Sequence, residues 1–260
     1  MEKSITGYAA VNGINMYYQI YGEGTVPLVL IHGGGSTIET SFGTMLPLLT
    51  PFTKVVAVEL QAHGRTTDRD TPELFEQDAD DVAAVLAHLK ITKANVLGYS
   101  NGGTTALQMA IRHPQMVNKI VVVSANYKRE GMIPGFFEGM QNASLDNMPA
   151  VLKAAYLKVT PDECRLQVMF DKDVERMRNF KDMKDGDLQA IKAAALLMVA
   201  DRDVILVEHT LAMSRLIPGA QLVVLPGTHG SFTGASEAVA NPGSRLPGIT
   251  AALVEEFLNG

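Results

Sequence analysis

The sequence predicts an α/β fold: a mostly parallel eight-stranded sheet flanked by helices, with a helical insertion late in the chain. Three observations predict it. Short apolar runs fit for buried strands alternate with longer stretches of helical periodicity. The alternation opens on a hairpin. It lapses between residues 126 and about 192, then resumes. Strands that alternate with helices lie mainly parallel and are covered on both faces.

Each element follows from its residues. "YAAVNGINMYYQIYG" is two extended runs joined by Asn12-Gly13, a strong hairpin signal that adds an antiparallel edge. "PLVLIHGGG" is a short apolar run ending in glycines, as expected of a fully buried parallel strand. Glu39 to Leu49 reads as one short helix, and "KVVAVEL" as the next strand. In "PELFEQDADDVAAVLAHLK", Leu74, Ala79, Val82, Ala83, Leu86 and Leu89 recur at helical spacing, with acids early and Lys90 late as the helix dipole prefers. Strand "ANVLGY" and helix "NGGTTALQMAIRH" follow, with Pro114 just past the helix. "KIVVVSA" is a strand. From Asn126 to Lys192 no strand is convincing, but "MPAVLKAAYL" and "DKDVERMRNFKDM" read as helical. The closing elements are strand "AALLMVA", helix "LVEHTLAMSRLI", strand "AQLVVLP" and helix "LPGITAALVEEFL". The expected division is a core over 1–125 and 193–260, with a helical cap over 126–192.

Composition narrows the function. A net charge of −6 without basic clustering argues against a nucleic-acid partner. No apolar run reaches membrane-spanning length, so no membrane span is expected. "MEKSITGYAAVNG" lacks the apolar centre of a signal peptide, and Cys164 is the one cysteine, which together suggest a reducing, cytoplasmic setting. Cys164 itself reads as a structural thiol in a helix.

Reactive groups in such sheets gather at the carboxyl ends of the strands. After "VLGY" comes Ser100 between Gly98 and Gly102, in Gly-x-Ser-x-Gly form. It is either a tight turn or a nucleophile on a sharp strand-to-helix corner. After "PLVLI" come His32 and Gly33-Gly34-Gly35, either a flexible turn or a place where the Gly34 N–H, with that of Asn101, can hold an oxyanion. After "ALLMVA" come Asp201 and Asp203, and after "LVVLPGT" comes His229. A serine hydroxyl is a poor nucleophile at neutral pH. It needs an imidazole to take its proton and a carboxylate to orient that imidazole.

On "LVLIHGGG", "VVAVELQAHGRT", "NVLGYSNGG", "LLMVADRDV" and "LVVLPGTHGSF" the chain resembles the α/β-hydrolase fold enzymes over nearly its whole length. It looks most like the small, cofactor-free esterase and ring-cleavage branch, with a helical cap after the sixth strand. The resemblance implies Ser100 as nucleophile, His229 as base, Asp203 rather than Asp201 as the acid, and Gly34 and Asn101 as oxyanion donors. The chain departs from the family pattern at Ala62, where a loop glycine is usual, at Gln61 and Glu59, and at Ala200 in the acid loop. The implied activity is a serine carboxylesterase acting on a small-molecule ester and requiring no cofactor. The same triad would serve a C–C bond hydrolase, a lactonase or a perhydrolase, and the fold also serves binding proteins that do not catalyse.

The other histidines are expected elsewhere. His32 braces the glycine turn, His63 packs a loop, His88 and His113 lie at helix C-termini, and His209 sits at the surface. No metal-ligand spacing appears among them, and no phosphate-binding glycine motif opens a helix. In the insertion, Met132, Phe136, Phe137, Met140, Tyr156, Met169, Met177, Phe180 and Met183 together suggest a cap that closes an adaptable apolar surface over the site, and Met132, Phe136, Phe137, Met140 and Tyr156, with Gly35, are the candidates to line the pocket. The charges of "DKDVERMRNFKDMKDGD" read as a solvated outer face.

Overall fold

The Asn12-Gly13 turn joins β1 (Ile5–Val11) to β2 (Ile14–Tyr21), with Val11 opposite Ile14. The structure, a computed structural model, describes residues 5–238, 241 and 243–260; the first four residues of the expected core lie outside them. After the hairpin come β3 (Leu28–Ile31), α1 (Ile38–Phe42), α2 (Leu46–Leu49), β4 (Val55–Val58), α3 (Phe75–His88), β5 (Ala94–Tyr99), α4 (Asn101–Arg112) and β6 (Val117–Val123). The stretch that follows carries α5 (Phe136–Gln141), α6 (Ala150–Val159), α7 (Glu163–Arg178) and α8 (Asp185–Gln189). The chain closes with β7 (Ala194–Arg202), α9 (Val207–Leu216), β8 (Gln221–Thr228) and α10 (Leu246–Asn259).

The eight strands form one sheet in the order β1-β2-β4-β3-β5-β6-β7-β8. The pairs β1–β2 and β2–β4 are antiparallel, and every later pair is parallel. Alternation along each strand feeds two cores. Val29, Ile31, Val56 and Val58 pack with α3, α4 and α9 on one face, through residues such as Val82, Leu107 and Met213. Leu28, Leu30, Val55 and Ala57 pack with α1, α2 and α10 on the other, through Ile38, Leu49 and Val254. Because β3 and β5 are covered on both faces, they are apolar at nearly every position. Among the described residues no helix is long and apolar enough to cross a membrane.

Three local expectations are corrected. The single helix over Glu39 to Leu49 is two short ones. Pro47 stands in the first turn of α2 and has no N–H to continue a helix from Gly43, so the chain starts again there. Leu74 is not on the buried face of α3; it precedes the helix and is 53% exposed, while Phe75, Asp78, Asp81 and Val85 face inward. Helix α7 starts earlier than its charged run suggested, because the Asp162 carboxylate accepts the Cys164 and Arg165 N–H groups as an N-cap. It ends at Arg178, short of the expected Met183. Cys164 lies in this helix but is exposed.

Candidate active site

Ser100 stands between the end of β5 and the start of α4 with φ 55° and ψ −122°. A non-glycine residue rarely holds such angles, so the surroundings must impose them. They do: the Ser100 N–H is tied to the Val123 carbonyl at 2.8 Å. A Cβ on Gly98 would run into the Gly102 carbonyl, and one on Gly102 would meet the Ile31 and His32 carbonyls. Only glycines let the corner close this tightly.

Three strand ends meet at this corner. His229, just past β8, brings Nε2 to 3.0 Å from Ser100 Oγ. Its Nδ1 donates to Asp203 Oδ1 at 2.6 Å, which leaves Nε2 to accept the serine proton. Asp203 follows β7 and is nearly buried. Burial alone would raise its pKa, but the bonds from His229, from Ser124 Oγ (2.6 Å) and from the Ile205 N–H (3.2 Å) hold it below the ordinary carboxylate value. The Tyr99 ring stands behind His229, with centroids 5.1 Å apart. Asp201 turns away, exposed, and accepts the Gly227 N–H at 2.7 Å.

Gly34 and Asn101 border the same cavity as Ser100 and His229. Among the described residues no acceptor takes the N–H of either. The cavity has a volume of about 620 Å³. Of the expected lining residues, Gly35, Met132, Phe136 and Met140 border it. Phe137 and Tyr156 do not. Phe137 packs edge-on against Phe136 and lies under the Arg129 guanidinium, 3.6 Å from its centroid. Tyr156 is fully buried, and its hydroxyl donates to the Ala62 carbonyl at 3.2 Å. Met169 and Met177 of the expected cap surface also line the cavity, and Met148 and Leu152 join them. Met169, Asp173 and Met177 recur at four-residue spacing, one stripe of α7, and that spacing is visible in the sequence.

The charged run of α7 is not a solvated face. Asp173 and Arg176 are buried. Arg176 pairs with Asp173 and, at 2.7 Å, with Asp78 of α3, and it lies 3.5 Å from Glu73. Asp173 Oδ2 accepts the Gly35 N–H and, at 3.0 Å, His63 Nε2. His63 therefore does more than pack its loop. Its Nδ1 donates to the Gln61 carbonyl at 2.8 Å, so both ring nitrogens face acceptors and the ring is an imidazolium. Burial would lower its pKa, but Asp173 overcomes that and carries it up to about 9. An imidazolium Nε2 has no lone pair to offer, so the Gly35 N–H donates to Asp173. Burial, opposed by Arg176, pushes Glu73 up to about 8 and Asp78 up to about 6.

Two further histidines are placed by the fold. His209 is buried, not at the surface; it stacks on Tyr127 with centroids 4.4 Å apart and accepts the Tyr127 N–H at 3.1 Å. His32 donates from Nδ1 to the Gly33 carbonyl at 2.7 Å and accepts the Leu60 N–H at 3.0 Å, bracing the glycine turn as expected. Among the described residues no group of three or more His, Cys, Asp or Glu is arranged to hold a metal ion.

Known proteins share this architecture. A family model described as alpha/beta hydrolase fold matches residues 26–156. The chain is 32% identical to the serine hydrolase BPHL of Homo sapiens over 235 residues, 85% of this chain and 78% of that one. Its fold is similar to a meta-cleavage product hydrolase from Pseudomonas fluorescens IP01, at 23% identity and TM-score 0.75, covering 100% of this chain and 98% of the other. It is also similar to the enol-lactonase of Burkholderia xenovorans LB400, at 23% identity and TM-score 0.74, covering 97% and 100%.

Proposed function

The chain belongs to the alpha/beta-hydrolase fold family, and from that premise we propose that it is a serine carboxylesterase that cleaves small-molecule esters through an acyl-enzyme. The observation that carries this reading is the relay of 3.0 Å from Ser100 Oγ to His229 Nε2 and 2.6 Å from His229 Nδ1 to Asp203. Ser100 Oγ attacks the ester carbonyl carbon while His229 Nε2 takes its proton. Charge gathers on the carbonyl oxygen, and the Gly34 and Asn101 N–H groups hold it. Asp203 orients His229 and stabilises its charged form. The tetrahedral intermediate collapses, His229 returns the proton to the leaving alkoxide, and an alcohol departs. A water then gives its proton to His229 and attacks the acyl-enzyme, releasing the acid and freeing Ser100.

The segment from residue 126 to 192 is, in this reading, a cap. Its α5 and α7 bring Phe136, Met140, Met169 and Met177 over the serine, and flexible methionines suit acyl groups of varied shape. The similarity to a serine hydrolase supports the nucleophile. The test is turnover of a chromogenic short-chain ester and its loss in Ser100→Ala. A wild-type protein inactive on esters of graded acyl length, yet saturable by a ligand, would sink the reading in favour of a binding protein.

A further inference from the structure

We propose that Asp173 is a positioning residue for the oxyanion hole: one carboxylate, carried on the insertion helix α7, that holds the Gly34 loop and Asn101 in register. This rests on the reading of the Gly34 and Asn101 amides as the oxyanion donors.

Gly34 lies in the loop after β3 and Asn101 opens α4 after β5; the pairing of β3 with β5 sets the two strand ends side by side, and beyond those ends a side chain ties the two residues together. Asp173 touches both. Its Oδ2 accepts the N–H of Gly35, the peptide directly after Gly34. Its Oδ1 accepts Asn101 Nδ2 at 3.4 Å. The contact closes on itself, because a Cβ placed on Gly34 would come to 2.5 Å from Asn101 Nδ2 and 3.0 Å from Asp173 Oδ2. Gly34 has no Cβ to restrict its dihedrals; beyond this contact its turn is held by the Ser36 N–H on the Gly33 carbonyl and by Ser36 Oγ on the Gly34 carbonyl, each at 3.3 Å, and a donor that turns loses its aim.

Asp173 is itself held firmly. Arg176, one turn along α7, and His63 from the loop after β4 both donate to it. Asp173 borders the cavity, but four donors meet a carboxylate with about four acceptor sites, which leaves none for a substrate. The residue thus acts through the loop and not by touching the reacting ester. Met169 and Met177, on the same stripe of α7, border the cavity. Seating this one helix therefore forms the cavity wall and sets the hole together.

The experiment compares wild type, Asp173→Asn and Asn101→Ala in the full chain. Two rates are read: steady-state turnover of a short neutral chromogenic ester, and covalent labelling of Ser100 by an alkyl fluorophosphonate. The second needs the hole but little fit to the cavity. Asp173→Asn is expected to lower kcat and the labelling rate together by roughly 10–100-fold, with KM changed by less than about threefold. Asn101→Ala keeps its backbone N–H and loses one arm of the brace, so a fall of roughly 3–10-fold is expected. A merely structural role would lower the melting temperature or raise KM, and leave kcat of the folded enzyme in place. A folded Asp173→Asn with kcat and labelling within about twofold of wild type overturns the proposal. If that variant does not fold, Asn101→Ala decides alone by the same limit. If the wild type cleaves no ester but is labelled at Ser100, the esterase reading fails and the labelling rates still decide the brace. If it is neither active nor labelled, both fail.

Discussion

Ser124 Oγ donates to Asp203 Oδ2 at 2.6 Å, on the oxygen that His229 does not use. Ser124 follows β6 with φ 50°, and its neighbour Val123 takes the Ser100 N–H. One strand end thus braces both the acid and the serine. Ser124→Ala is expected to raise the Asp203 pKa and to lower kcat/KM by roughly 10-fold, since a hydrogen bond to a charged group is worth about 1.5–3 kcal/mol. Ester turnover as a function of pH reads it. An unchanged acid limb with unchanged kcat/KM would remove Ser124 from the site.

Asp203 and Asp201 are two residues apart and should separate cleanly. Asp203→Asn would present His229 with a donor where it needs an acceptor, which favours the wrong ring tautomer. It is expected to cost about 10⁴-fold in kcat. Asp201→Ala loses an exposed bond to the Gly227 N–H and an exposed ion pair with Arg202 at 3.6 Å, so kcat should stay within about threefold. Equal losses in the two variants would contradict the assignment of the acid.

Phe136 and Phe137 are neighbours in sequence with different surroundings. Phe136 borders the cavity, whereas Phe137 packs under Arg129 and beside Phe180. Phe136→Ala should shift the preferred acyl length upward, read as KM across a graded ester series. Phe137→Ala should leave that series unchanged and lower stability by about 1–3 kcal/mol in denaturant unfolding. A shift in acyl preference from Phe137→Ala alone would move the pocket wall.

His63 makes stability depend on pH. Its folded pKa is raised to about 9, with Asp173, Glu73 and Arg176 facing it from three sides and His32 beside it. A raised pKa means that folding favours the protonated ring. Its contribution is therefore complete below the unfolded value near 6.5 and is lost as pH rises through 9. Burial raises Glu73 to about 8, which acts in the same direction over the range above its ordinary value of 4.5. Stability against thermal unfolding should thus fall between pH 6.5 and 9, by up to about 3 kcal/mol from His63. In His63→Gln the decline should flatten, leaving the part due to Glu73 and to Glu59, which burial raises to about 7. A decline as steep in that variant as in wild type would assign it elsewhere.

The sequence by itself determined the sheet, its helical cover and the three groups that meet above it. Each of these is written locally. A buried parallel strand must be apolar at nearly every position, and the reactive residue sits in the few positions after it. "VLGYSNGG", "VADRD" and "PGTHG" therefore carry their own context, and strand order brings them together. What the tertiary structure decided is which side of α7 faces inward. Asp173 and Arg176 lie in a run of charges that a solvated helix would also carry. Their burial depends on His63, Glu73 and Asp78, about 100 residues earlier in the chain, which supply the counter-charges that make it tolerable. His209 and Tyr156 are buried on neutral partners far along the chain, each meeting a backbone group from a distant loop. A polar side chain's burial is a property of its partners, and partners far along the chain are known only when the chain has folded.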